Sequence, residues 1–196
     1  KDYDVAFAIG CHSPHDALLP VIQLATNYLG LPLAQIKPKI SLPSVLKNNF
    51  NKKYVCIAMQ STAQFKYWNN PTGWEQTVDY LKTLGYEVLC IDQHARFGVE
   101  GHWNDTPANS IRKNQFNKDP DIPLSDRIND LYFCDFFIGL SSGLAWVAWA
   151  LDKPVIMIAG GSALDQEFYT PYKVVNTDVC HACFSDIECM PFEKGD

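Results

Sequence analysis

Four short stretches carry residues able to do chemistry. The first is QSTAQFKYWNN, residues 60–70, with the hydroxyls of Ser61 and Thr62 and the compact cation of Lys66. An ammonium beside two hydroxyls suits a phosphate; a polar surface loop with a solvated lysine is the competing reading. The second is Ser141-Ser142-Gly143, between an apolar strand pattern and a helix start. The first amides of a helix have no partner within it, and the helix dipole favours an anion there. Gly143 would let a ligand approach the backbone closely. A plain capped turn explains the same residues. The third is GGSALDQEFYTPY, where Asp165 and Glu167 could accept hydrogen bonds from the hydroxyls of a ribose or sugar. An ordinary polar turn explains it equally well. The fourth is CHACFSDIEC. Its Cys180 and Cys183 have the C-x2-C spacing that turns two thiolates toward one metal ion, and Cys189 or His181 could extend the set.

These stretches need elements to hold them. YDVAFAIG (3–10) reads as a buried strand. A helical pattern runs from Asp16 to Tyr28, and a proline-rich connector follows through Pro32, Pro38 and Pro43. A domain boundary is placed near residue 48. Beyond it, YVCIAMQ (54–60), YEVLCID (86–92), FFIGL (136–140), PVIMIAG (154–160) and YKVVN (172–176) read as strands. Pro71 to Leu84 reads as a helix with Trp74, Val78 and Leu81 on one face and Gly85 as its C-terminal stop. Ser125 is expected to cap a helix through Tyr132, and SSGLAWVAWAL to form another with Trp146 and Trp149 in the core. Residues 93–123 read as one long loop, a length that marks a functional or partly mobile segment.

Strands alternating with helices, and apolar on both faces, indicate parallel βαβ units. The expected fold is therefore α/β, a Rossmann-like doubly wound parallel sheet over residues 48–178. Ligands of such a sheet sit beyond the carboxyl ends of its strands. That rule selects the loops 60–70, 92–124, 140–144 and 159–170.

Composition narrows the function classes. The 196 residues carry 16 Lys and Arg against 22 Asp and Glu, a net charge of −6 with no basic stripe, so a nucleic-acid platform is excluded. With 47% hydrophobic and 13% aromatic residues the chain can build a core. No apolar run reaches the ~20 residues of a membrane span, and no signal peptide is visible. The chain starts at Lys1, which reads as a piece of something longer. Of seven cysteines, Cys11, Cys56, Cys90 and Cys134 stand alone in apolar runs and read as small buried hydrophobes. The tail cluster fits a cytosolic metal site better than a disulfide framework.

FFIGLSSGLAWVAWALDKPVIMIAGGS (136–162), QSTAQFKYWNNPTGW (60–74) and EFYTPYKVVNTDVCHAC (167–183) together resemble the bacterial autotransporter heptosyltransferases, a branch of glycosyltransferase family 9. The resemblance implies a GT-B fold of two Rossmann-like domains, of which this chain is the C-terminal, donor-binding half. Residues 1–47 would be the end of the N-terminal domain and the hinge, 48–178 the nucleotide-sugar domain, and 179–196 the start of a cysteine metal motif. It implies ADP-glycero-manno-heptose as donor, serine hydroxyls of autotransporter adhesins as acceptors, transfer in the bacterial cytoplasm before export, and a large homo-oligomer. Lys66, with Ser61 and Thr62, would hold the diphosphate. Ser141, Ser142 and Gly143 would serve the same group, with Asp165 and Glu167 as further donor contacts. Cys180 and Cys183 would bind a structural iron.

Two departures from the family pattern stand out. Its remaining metal cysteines would fall past Asp196. The aspartate-threonine pair of the lipopolysaccharide heptosyltransferases is replaced by Ser141-Ser142, which argues against a lipid-core acceptor. The resemblance implies a general base in the N-terminal domain, so no catalytic residue is expected in these residues, and the piece alone is expected to be inactive. Two other readings stay open: a non-catalytic, metal-pinned oligomerisation module, and a family 9 transferase with a different donor or acceptor.

Overall fold

The computed structural model describes residues 21–32, 34, 36–61, 63–99, 102–112, 122–162 and 166–178. The chain divides into two compact units. One is Lys37–Ala159 with Thr170–Val174; the other is Lys1–Ile36 with Gly160–Tyr169 and Val175–Asp196.

The first unit contains the sheet. Its strands are β1 (Tyr54–Ala58), β2 (Glu87–Cys90), β5 (Ile111–Arg112), β6 (Phe137–Leu140), β7 (Val155–Ile158) and β8 (Tyr172–Val174). Between β2 and β5 lies a separate hairpin of β3 (Arg96–Val99) and β4 (His102–Asp105). The helices of this unit are α2 (Gly73–Thr83), α3 (Leu124–Phe133) and α4 (Gly143–Ala150), with a single 3-10 turn at Gln64–Lys66. All pairings in the main sheet are parallel, and the order is β5-β2-β1-β6-β7-β8. The chain steps outward from β1 to β2 and β5, then returns to the other side of β1. Strand order therefore reverses between β1 and β6, the doubly wound arrangement that opens a crevice at that point.

The sequence explains the core. Every residue of β1 is buried, as a central parallel strand covered on both faces requires. Val55, Ile57 and Met59 pack with Val88, Cys90 and Ile138, and with the Trp74–Val78–Leu81 face of α2. Gly85, at φ +86, ends α2 in the left-handed conformation that glycine adopts without strain. The Gly85 amide donates to the Lys82 carbonyl and that of Tyr86 to Leu81, which satisfies the last turn. β1 and β6 come so close that a Cβ on Gly139 would lie 2.6 Å from the Ala58 carbonyl oxygen and from the Phe137 ring. Cys56, Cys90 and Cys134 are free and buried, as expected of small hydrophobes.

Three expectations need correction. Residues 93–123 are not a featureless loop, because the β3–β4 hairpin and β5 form inside them. RFGV and HWND are short and mixed in polarity, so no run of apolar residues announces them. Ser125 does not cap α3. The cap position is Pro123, no side chain bonds there, and Ser125 lies inside the first turn. Trp146 and Trp149 are half-buried rather than core, and pack edge to face with ring centroids 5.6 Å apart.

The second unit is described in part. Its α1 (Val21–Tyr28) is the later portion of the helix expected over 16–28, with Leu24 buried. The strand expected at 3–10 lies outside the described residues. No helix among the described residues is long and apolar enough to cross a membrane.

Candidate functional site

At the carboxyl end of β1 the chain leaves the sheet through Met59, Gln60 and Ser61. At the carboxyl end of β6 it leaves through Ser141 and Ser142 and enters α4 at once. Because β1 and β6 are neighbours, these two exits face each other across the reversal of strand order. A cleft of about 740 Å³ opens there, with Gln60, Ser61, Lys66, Ser142 and Gly143 in its wall. The exit from β2 adds Asp92, Gln93 and His94, the hairpin adds Phe97, and α3 adds Leu124.

Lys66 closes the gap between the two exits. The 3-10 turn brings its ammonium to 3.0 Å from the Ser141 carbonyl oxygen, to which it donates. An ammonium has three N–H donors, so two remain for another acceptor. Ser142 precedes α4 in extended conformation, and no side chain caps the helix there. The Ser142 carbonyl accepts from the amides of Ala145 and Trp146. The amides of Gly143 and Leu144 come too early in α4 to have an acceptor within it. A Cβ built on Gly143 would meet nothing within 4 Å, so protein packing does not demand glycine there and the space beside it is open. The cleft thus offers ammonium hydrogens, amides without an acceptor in α4 and a helix N-terminus to one group, a combination suited to an anion.

The first loop is held from below. The buried Asp92 carboxylate accepts the Met59 amide at 2.8 Å and the Gln60 amide at 3.2 Å. The Gln60 side-chain amide donates to the carbonyls of His94 and Asn104, and Asn104 donates back to the Met59 carbonyl. Arg127, buried on α3, donates to the Asp92 carbonyl at 2.9 Å and to the Gln93 side chain. The Tyr67 hydroxyl lies 3.0 Å from the Ser61 carbonyl and 3.4 Å from that of Phe97. His94 and Phe97 stack nearly parallel, 5.4 Å between centroids, beside the cleft. Burial pushes the Asp92 carboxyl up to about 6, against the lowering effect of the two amides.

Of the residues singled out in sequence, Ser61, Lys66, Ser142 and Gly143 line this one cleft, and Ser141 contributes its carbonyl. The Ser61 hydroxyl accepts from the Ala63 amide at 3.3 Å, which turns the loop. Glu167 belongs to the other unit, where it is buried. Thr62, Asp165, Cys180 and Cys183 lie outside the described residues. Among the described residues no three His, Cys, Asp or Glu side chains come together to hold a metal. Sequence reading passed over Asp92, Gln60, Asn104 and His94. An aspartate directly beyond the apolar run of β2 was the available signal.

Strand order and the position of the cleft define the class: a Rossmann-like, doubly wound α/β domain whose ligand site is at the reversal of the sheet. The glycosyltransferase family 9 (heptosyltransferase) model matches residues 12–192. The chain belongs to that family.

Particular relatives sharpen the assignment. The autotransporter heptosyltransferase BAHTCr of Citrobacter rodentium is 46% identical over 153 residues, 78% of this chain and 35% of that protein. The autotransporter heptosyltransferase TibC of Escherichia coli is 44% identical over 153 residues, 78% of this chain and 36% of that protein. The chain therefore spans about a third of the length of these relatives. The crystal structure of TibC, described as a bacterial iron-containing dodecameric glycosyltransferase, superposes with a TM-score of 0.81 at 37% identity, covering 92% of this chain and 47% of that one. TibC in complex with ADP-D-β-D-heptose gives 0.78 at 39%, covering 92% and 45%. BimC of Burkholderia thailandensis, described as an inactive autotransporter heptosyltransferase, is 30% identical over 162 residues, 83% of this chain and 37% of that protein. The doubly wound sheet expected for one half of a GT-B enzyme is the sheet observed.

Proposed function

We propose that this chain is the donor-binding part of a protein O-heptosyltransferase. It takes ADP-glycero-manno-heptose, and the enzyme passes heptose to serine hydroxyls of an autotransporter adhesin. The observation that carries the reading is the hydrogen bond from Lys66 to the Ser141 carbonyl, which sets a cation at the N-terminus of α4. Relatives named as autotransporter heptosyltransferases, one solved with an ADP-heptose, supply the donor and acceptor.

In the transfer, the bond from the anomeric carbon to the β-phosphate oxygen breaks and a bond to the serine oxygen forms. Negative charge grows on the departing ADP. Lys66 and the first amides of α4 face that charge and stabilise it where it develops. Ser61 and Thr62 assist at the first loop, Ser141 and Ser142 at the second. Gly143 leaves room for the phosphates, and Asp165 and Glu167 contact the sugar or ribose. The serine proton goes to a general base, placed in an N-terminal domain to which residues 1–47 form the end and hinge. Residues 48–178 are the nucleotide-sugar domain, and 179–196 begin an iron motif through Cys180 and Cys183. TibC, iron-containing and dodecameric, supports that motif and a homo-oligomer. The reaction takes place in the bacterial cytoplasm.

Calorimetric titration of the full-length protein with ADP-heptose, wild type against Lys66→Ala, tests the reading. Loss of donor affinity supports it; an unchanged dissociation constant removes it. The inactive relative BimC favours a second reading, a metal-pinned assembly module without transfer. An intact oligomer that gives no heat with ADP-heptose would establish that reading instead.

A further inference from the structure

Among the described residues Asp92 is the one carboxylate in the wall of the cleft, yet it is 5% exposed and occupied with the backbone. Its two oxygens accept the amides of Met59 and Gln60, the first residues past β1. Those amides begin the loop that carries Ser61 and Lys66. Gln60 and Asn104 tie the same residues to the exit of β2 and to β4. The carboxylate is thus the charged acceptor in a clasp joining two sheet exits, six residues before the end of the Lys66 turn.

We propose that Asp92 is a positioning residue for the diphosphate of the donor: ionised, it accepts both amides and holds the β1 exit so that Lys66 meets the ligand, and protonated, it gives up one of the two and sets the exit less closely. This inference rests on the donor-binding reading above. A carboxylate can accept two amides at once. A carboxylic acid carries a hydrogen on one oxygen, which then faces an N–H rather than accepting from it. Burial pushes this carboxyl up to about 6, so the change falls in an accessible range. Arg127 of α3 donates to the Asp92 carbonyl, with Asp126 and Asp130 on the same helix beside that guanidinium. The Cys90 thiol of β2 lies 3.5 Å from the carboxylate. Thr106 is hydrogen-bonded to that thiol, and Lys66 and His94 line the same cleft. His94, in the wall of the same cleft, is the necessary control.

The test measures ADP-heptose affinity of the full-length protein between pH 5 and 7.5 for wild type, Asp92→Asn and His94→Gln. The phosphates of this donor carry no group titrating in that window. If only the ionised form is competent, the dissociation constant rises about tenfold from pH 7.5 to 5, with an apparent pKa near 6. His94→Gln keeps that step. Asp92→Asn binds weakly at every pH and loses it. A step that survives in Asp92→Asn and disappears in His94→Gln overturns the proposal. Should Asp92→Asn fail to fold, as read by circular dichroism, a flat profile in His94→Gln overturns it and a retained step near pH 6 supports it. Absence of binding by the wild type at pH 7.5 removes the donor-binding reading, and this role with it. Tight wild-type binding with no pH step removes the role of Asp92 alone.

Discussion

Lys66 and Ser141 are 75 residues apart, yet the ammonium of one donates to the carbonyl of the other at 3.0 Å. The bond spans the reversal of the sheet. It fixes a positive charge beside the N-terminus of α4, and every expectation for this site follows from that placement.

Lys66→Ala is expected to weaken ADP-heptose binding by roughly 10- to 100-fold. A hydrogen bond to a charged group contributes about 1.5–3 kcal/mol, and each 1.4 kcal/mol is about tenfold. Half-buried at the cleft, Lys66 makes one bond to protein there, so the urea midpoint should move little. A large stability loss with unchanged affinity would make Lys66 structural only.

Gly143→Ala separates ligand space from protein space. A Cβ meets no protein atom within 4 Å and the backbone is not left-handed. Alanine is a better helix former by up to about 1 kcal/mol. Stability should hold or rise slightly while donor affinity falls, because the methyl occupies the space kept for the phosphates. Undiminished affinity would move the diphosphate away from α4.

Gly139→Ala should be the most damaging of these substitutions to stability. Its Cβ would stand 2.6 Å from the Ala58 carbonyl oxygen, which belongs to backbone and cannot swing aside. Overpacking of this kind costs about 1–3 kcal/mol, sometimes more. It would force apart β1 and β6, the two strands that flank the cleft. Chemical denaturation reads the loss, and a midpoint equal to wild type contradicts it.

The Asp92 carboxyl makes stability fall as pH rises through acid. Its folded value, about 6, lies above the ordinary value of 3.8, so between these the native state holds the proton more tightly than the unfolded chain. Stability from this group is full below about 4 and lost by about 6. That difference corresponds to about 3 kcal/mol. Urea titrations of wild type and Asp92→Asn from pH 4 to 7 should diverge in that direction. Parallel curves would show that Asp92 does not titrate there.

Thiol chemistry gives a last check. Burial pushes the thiols of Cys56 and Cys90 well up from their ordinary value. In the folded protein a thiol reagent at pH 8 should leave Cys56, Cys90 and Cys134 unmodified, as peptide mapping would report, and label them after denaturation. Rapid labelling of Cys56 in the native state would contradict the burial of β1.

Much of this architecture is written locally. YVCIA and VIMI are apolar, β-branched runs that bury themselves as strands wherever they pair. Trp74, Val78 and Leu81 recur at helical spacing, and Gly85 stops the helix because it takes a left-handed turn without strain. The hydroxyls, the lysine and the glycine of the two loops were legible for the same reason: their chemistry is a property of residue type. Strand order is not. Nothing in FIGL says that it pairs with YVCIA rather than with EVLC, and that choice alone makes the loops of Lys66 and Ser142 neighbours. The hairpin within 93–123 was hidden because its strands are short and mixed, and are specified by each other. Asp92 reads as one more polar residue after a strand until folding brings the amides of Met59 and Gln60, more than thirty positions away, onto its oxygens. Sequence alone determined the apolar strands, the helices, the family and the kinds of group available, because periodicity and turn chemistry act over a few residues. Tertiary structure decided which groups meet, because pairing across the sheet is settled by burial and hydrogen bonding between distant parts of the chain.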